Sequence, residues 1–262
     1  MGTSIWRSVG IAVVAMGCWT ATEAAAPAPG LNAVPLRGQQ QEVHYLPARG
    51  TSLHRSILYL PGVGGWEGWA ITVAETMASW GYDVYGLDTK RYLDSFTTAS
   101  STLTETDVMD DMRAISEWTA QQPDQPITLV GWSEGAGLAV LGAAAERNKK
   151  IFDGLVTFGL ADRNVIAWHW SENITSLFKK PHEPEFRAAS HMTEVSPLPL
   201  LMIQSSRDQY VTTEEAQRLF EAAHQPKRFE LVQANNHRFD GNHDEFFLRL
   251  RDGLRWVSQP NR

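Results

Sequence analysis

Apolar residues recur along this chain in two alternating rhythms. Short apolar runs closed by turn residues read as strands at Gln41 to Leu46, Ser56 to Leu60, Tyr82 to Leu87, Ile127 to Val130, Leu155 to Phe158, Leu198 to Gln204 and Arg228 to Val232. Between them the apolar positions fall three and four residues apart, the helical spacing. Ile71 to Trp80 places Val73, Met77 and Trp80 on one face and stops at Gly81. Thr104 and Asp107 have the form of a capping box ahead of Val108, Met112, Ile115 and Trp118, and Pro123 and Pro126 end that helix. Further helices are expected at Leu138 to Arg147, from Thr212 or Thr213 to His224, and at Asp244 to Val257. The polar stretch from Asp88 to Ser101 reads as a loop. Strands that alternate with helices predict an α/β chain, with a mostly parallel sheet covered by helices on both faces. The rhythm fails between Ala161 and Ser196, where Trp168, Trp170, Phe178 and Phe186 stand among prolines and charges. So long an irregular segment is expected to be a cap or lid over a site.

Composition adds bounds. The 262 residues suffice for one large domain, and 43% hydrophobic with 20% charged residues is ordinary for a globular chain. A formal charge of -7 argues against a nucleic-acid binder, which needs a basic face. Residues 1–26 have the build of a secretory signal peptide: Arg7, an apolar stretch from Val9 to Trp19, then small residues to Ala26. The expectation is export to the periplasm or outside the cell. Cys18, the single cysteine, falls inside this leader, so the mature domain has no disulfide; lipidation of Cys18 is the alternative fate. Residues 27–40 then read as a linker and 41–262 as the domain, with 161–196 as its cap.

The chemistry gathers at Gly131-Trp132-Ser133-Glu134-Gly135, a Gly-x-Ser-x-Gly pattern between a strand and a helix. That context is the one a nucleophile elbow needs, because a serine on a sharp strand-to-helix turn requires small neighbours on both sides. A serine hydroxyl is a weak nucleophile until a base takes its proton, and the base needs a carboxylate to fix its tautomer. In α/β-hydrolases the order is Ser, acid, His, each just after a strand. Asp208 follows the strand ending at Gln204, and His237 follows the strand ending at Val232. Asp162 is the rival acid and His243 the rival base. His44, His54, His169, His182, His191 and His224 stand elsewhere in the order and read as surface or lid residues. His237, Asp240, His243 and Asp244 could alternatively hold a metal, although no helical His-x-x-x-His spacing accompanies them.

Backbone donors for an oxyanion are expected at Val63, in the turn Pro61-Gly62-Val63-Gly64-Gly65, and at Glu134, the residue after the serine. The Glu134 side chain would favour a substrate carrying an ammonium if it faces the pocket; otherwise it points to solvent or pairs with a nearby Arg or Lys. Trp66, Trp69, Trp132, Trp168 and Trp170 are the candidate lining of an apolar substrate pocket.

Gly64-Gly65-Trp66, the run Gly86 to Leu93, the elbow with Gly135-Ala136, and His237-Arg238-Phe239-Asp240-Gly241 together resemble the VirJ/AcvB-type bacterial virulence proteins of the α/β-hydrolase superfamily. The resemblance implies a periplasmic protein with Ser133 as nucleophile and His237 as base, and some members hydrolyse aminoacyl-phosphatidylglycerol. The chain departs from that pattern in carrying Glu134 where an aromatic residue is expected, and in its Trp-rich 161–196 region. The combined expectation is an exported serine hydrolase that cleaves a carboxylic ester through an acyl-enzyme, with no cofactor, no metal and no nucleic-acid partner. An aminoacyl-phospholipid, hence a membrane lipid, is the sharpest substrate expectation. A generic carboxylesterase or lipase, and a non-catalytic protein that binds a partner on a hydrolase scaffold, are the alternatives.

Overall fold

The computed structural model describes residues 27–98, 101–120, 125–167 and 184–259. The leader, Cys18, Trp168 and Trp170 therefore lie outside the described residues. In chain order the elements are β1 (Gly30–Leu36), β2 (Gln39–Leu46), β3 (Ser56–Leu60), α1 (Trp69–Ser79), β4 (Asp83–Leu87), α2 (Thr89–Phe96), α3 (Glu105–Thr119), β5 (Ile127–Trp132), α4 (Glu134–Ala144), β6 (Phe152–Phe158), β7 (Arg163–Val165), β8 (Glu185–Arg187), β9 (Leu200–Ser205), α5 (Thr213–Ala222), β10 (Lys227–Val232) and α6 (His243–Val257).

Eight strands form one sheet in the order β1-β2-β4-β3-β5-β6-β9-β10. The six from β4 to β10 run parallel, and β2 joins β4 antiparallel with β1 as its hairpin partner. The parallel strands read as continuous apolar runs because both faces are covered, and alternation along each strand feeds two separate cores. Leu58 and Leu60 of β3 enter the core shared with α2, α3, α4 and α5, while Ile57 and Tyr59 enter the one under α1 and α6. From Gly135 to Ala144 every residue of α4 is buried, as expected of a helix that is apolar all round. The α/β class, the mostly parallel sheet and the helices on both faces stand as expected.

Three local expectations need correction. The segment 27–40 is not a plain linker, because residues 30–36 form β1 and pair along their whole length with β2. The two strands are joined through Arg37 and Gly38, both at positive φ (47° and 81°), which is the two-residue turn whose twist suits a hairpin. The loop expected at 88–101 contains α2: Asp88 caps it by accepting from the Arg91 amide at 3.1 Å, and Thr89, Tyr92 and Leu93 are its buried face. Within the irregular 161–196 region, β7 pairs with β8, with Asn164 opposite Phe186, while the middle of the expected cap, 168–183, lies outside the described residues.

Candidate active site

Parallel strands point their carboxyl ends the same way, so the loops that leave them gather along one edge of the sheet. The loops after β3, β5, β6, β9 and β10 meet there around a cavity of about 710 Å³, lined among others by Val63, Trp132, Ser133, Glu134, Tyr210 and His237.

Ser133 sits at the tip of β5 with φ 56° and ψ -126°. A non-glycine residue held there stores about 1–3 kcal/mol of backbone strain. The strain is maintained because the Ser133 amide donates to the Phe158 carbonyl at 3.0 Å while its own carbonyl accepts from Ala136 at 2.9 Å. The close turn requires Gly135: a Cβ there would lie 2.0 Å from the Leu60 carbonyl oxygen. Helix α4 begins on the next residue, so the Glu134 amide is a first-turn donor without an intrahelical acceptor, at the positive end of the helix dipole.

Asp208 and His237 are brought together. His237 Nδ1 lies 2.6 Å from Asp208 Oδ2, with the Asp208 side chain wholly buried. The aspartate also accepts from the amides of Tyr210 (2.9 Å) and Val211 (3.1 Å) and from Gln204 Nε2 (3.3 Å). Burial pushes the Asp208 carboxyl up, but the hydrogen bond and charge of His237 and the two amides outweigh it and leave it below the ordinary aspartate value. An ionised Asp208 accepts and cannot donate, so the neutral form of His237 carries its proton on Nδ1 and presents a lone pair at Nε2. Nε2 is buried and has no hydrogen-bond partner among the described residues. The ring is packed from three sides: by Trp132 at 5.7 Å and Tyr210 at 5.3 Å between centroids, and by the bare Gly159, where a Cβ would come within 2.4 Å of Cε1. The His237 amide donates to Gln209 Oε1 at 3.1 Å.

The rivals are engaged elsewhere. Asp162 pairs with Arg187 and accepts from the Ala189 amide, which ties the ends of the irregular segment. His243 Nε2 is 3.2 Å from Asp240 Oδ1, and its ring stacks on Trp69. No group of three His, Cys, Asp or Glu side chains is placed to hold a metal among the described residues.

Two expectations about the lining change. Trp66 is not among the residues lining the cavity: its indole stacks on His44 at 4.6 Å and lies over Gly86, where a Cβ would be 1.7 Å away. Trp132 and Trp69 do line the cavity, and Gln209 and Tyr210, not singled out from the sequence, line it too. Tyr210 and Gln209 adjoin Asp208, and adjacency to that loop was the available signal.

The serine hydroxyl is the surprise. Ser133 Oγ donates to Glu134 Oε2 at 2.6 Å, and the same oxygen accepts from the Val63 amide at 3.4 Å. Val63 and Glu134 thus do meet beside Ser133, with the Glu134 carboxylate between the amide and the hydroxyl.

Residues 55–156 match the family model of the bacterial virulence protein VirJ. Among the curated proteins no sequence matches the chain. Among solved structures, the α/β hydrolase GrgF from Penicillium sp. superposes with a TM-score of 0.66 at 12% identity, covering 87% of this chain and 98% of that one. An α/β serine hydrolase without lid from Xanthomonas campestris gives 0.61 at 18% identity, over 90% of this chain and 100% of that one. The esterase domain of a Rhodothermus marinus protein gives 0.59 at 18% identity, over 87% and 98%. The chain has the α/β-hydrolase fold and, across the strands that carry Val63 and Ser133, resembles VirJ.

Proposed function

We propose that the chain is a serine hydrolase that cleaves a carboxylic ester. The observation that carries this reading is the buried Asp208–His237 pair, whose unpartnered Nε2 shares a cavity with a serine held at positive φ. In the proposed cycle Ser133 Oγ attacks the ester carbonyl as His237 Nε2 takes the hydroxyl proton. The tetrahedral oxyanion is held by the Val63 and Glu134 amides. Collapse breaks the carbon–oxygen bond, and His237 returns the proton to the departing alcohol. Water, activated by the same histidine, then hydrolyses the acyl-enzyme. Each oxyanion donor of this kind contributes about 10²–10³ in rate.

For the substrate, an aminoacyl ester of a lipid is the reading the site supports best. Glu134 lies within the cavity, and a carboxylate beside the reacting carbonyl attracts an α-ammonium group, as the VirJ resemblance also suggests. Export through the 1–26 leader would bring the protein to such lipids. A second reading, a partner-binding protein on a hydrolase scaffold, is favoured by one observation: the Ser133 hydroxyl is bonded to Glu134 and not to His237.

The test is labelling by a fluorophosphonate probe together with hydrolysis of a short-chain chromogenic ester. Both should be measurable in the wild type and lost in Ser133→Ala, with kcat falling by roughly 10⁴ or more. A well-folded wild type that hydrolyses the ester equally with and without the Ser133 hydroxyl would refute the mechanism.

A further inference from the structure

We propose that the Glu134 carboxylate is a gate on Ser133: at rest it fills the oxyanion position and holds the serine hydroxyl, and a substrate carbonyl must displace it before His237 can receive the proton. The proposal rests on the reading of Ser133 as nucleophile.

One oxygen makes both contacts that define the gate. Glu134 Oε2 accepts from Ser133 Oγ at 2.6 Å and from the Val63 amide at 3.4 Å. A hydroxyl has one proton to donate, so the bond to Glu134 leaves none for His237. The buried, unpartnered Nε2 is the counterpart of that choice. The carboxylate also stands on the Val63 amide, where the substrate oxygen would collect negative charge, and two anions do not share that donor. Gly62 lies against the arrangement: a Cβ there would meet Ser133 Cβ tightly at 3.0 Å and touch Oε2 and Oγ at 3.4 and 3.5 Å.

The fold lets the gate open without dismantling the hole. Glu134 is the first residue of α4, and its backbone amide is fixed by the turn of that helix. Rotation about the side-chain bonds carries the carboxylate off Val63 and Ser133 while both amides stay in place. Once displaced, the charge remains in the cavity beside the acyl group, so it disfavours anionic acyl chains. Glu134 is then a specificity-determining residue as well as a resting-state blocker.

The experiment compares wild type, Glu134→Ala and Glu134→Gln by the second-order rate of fluorophosphonate labelling. In that reaction the Oγ–P bond forms, fluoride leaves with the P–F electron pair, and His237 takes the hydroxyl proton. The same proteins are assayed on the p-nitrophenyl esters of acetate and of mono-succinate. Removing the carboxylate should raise the labelling rate about 10-fold or more in Glu134→Ala, with a smaller rise in the isosteric Glu134→Gln. The succinyl ester should gain more than the acetyl ester in both variants. A variant damaged in folding loses rate, so a gain cannot come from a structural role. Labelling of the wild type at Ser133 with no acceleration in either folded variant overturns the gate and leaves the serine reading standing. No labelling in any of the three overturns both. Labelling of Glu134→Ala with the wild type near the detection limit is the same acceleration at its extreme and supports the gate.

Discussion

Asp208 receives four hydrogen bonds, from His237, Gln204, Tyr210 and Val211, while its side chain is wholly buried. Burial raises its titration, but the bonds from His237, Tyr210 and Val211 favour the ionised form and leave it below the usual range. The sign of the consequence follows: a carboxyl depressed in the folded state adds stability above its unfolded value of about 3.9, and that contribution is lost as the pH falls through the lower folded value. Asp208→Asn should lower kcat by about 10⁴, since the amide no longer holds the Nδ1–H tautomer. In thermal melts the variant should also show a shallower loss of stability than the wild type below about pH 4, because the titrating group is gone. At this scale the sequence is informative about position and silent about rotamer. Asp208 and His237 could be paired from it because each follows a strand, and parallel topology brings such loops together. The Ser133 to Glu134 hydrogen bond is a rotamer choice between adjacent residues, and the turn of Trp66 onto Gly86 depends on packing between separate elements; spacing along the chain encodes neither.

At the scale of elements, the β1–β2 hairpin shows what a weak local signal can hide. Its turn at Arg37-Gly38 has an arginine where the usual hairpin signal has Asn or Asp before the glycine, and Pro35 inside β1 reads against a strand. Its place is secured by long-range contacts: Arg37 Nε and Nη2 bind both oxygens of Asp111 on α3 at 2.8 and 2.6 Å, and Tyr92 on α2 donates to Asp111 at 2.8 Å. The Arg37 guanidinium also lies 3.9 Å over the Phe96 ring. Burial raises the Asp111 carboxyl, and Arg37 and Tyr92 oppose that shift. Arg37→Ala would strand a buried carboxylate, at a cost of about 3 kcal/mol and roughly 10 °C in melting temperature. A calorimetric scan tests this, with an unchanged midpoint as the contrary result. The helix α2 was legible in hindsight at positions 89, 92, 93 and 96, but eight mostly polar residues give little period to read. The capped helix α3 was legible outright, because Thr104 and Asp107 exchange both hydrogen bonds of the capping box.

At the scale of the molecule, the sheet has two edges, and β1 forms one of them. Its Val34 and Leu36 join the same core as Val43 and Tyr45 of β2. A chain starting at Pro27 should fold as a soluble unit with a single cooperative melt. One starting at Gln41 would expose β2 as a bare edge with its core face uncovered, and should aggregate or lose cooperativity in light scattering and calorimetry. Equal behaviour of the two would show that β1 is dispensable. The short pairing of β7 with β8 bears on a different matter. Val165 lies opposite Glu185, so positions 165 and 185 are neighbours on a two-stranded pair outside the main sheet, and Arg163 and Asn164 of that pair border the cavity. Whatever is written between those points can be exchanged as a cassette without re-registering a strand of the main sheet.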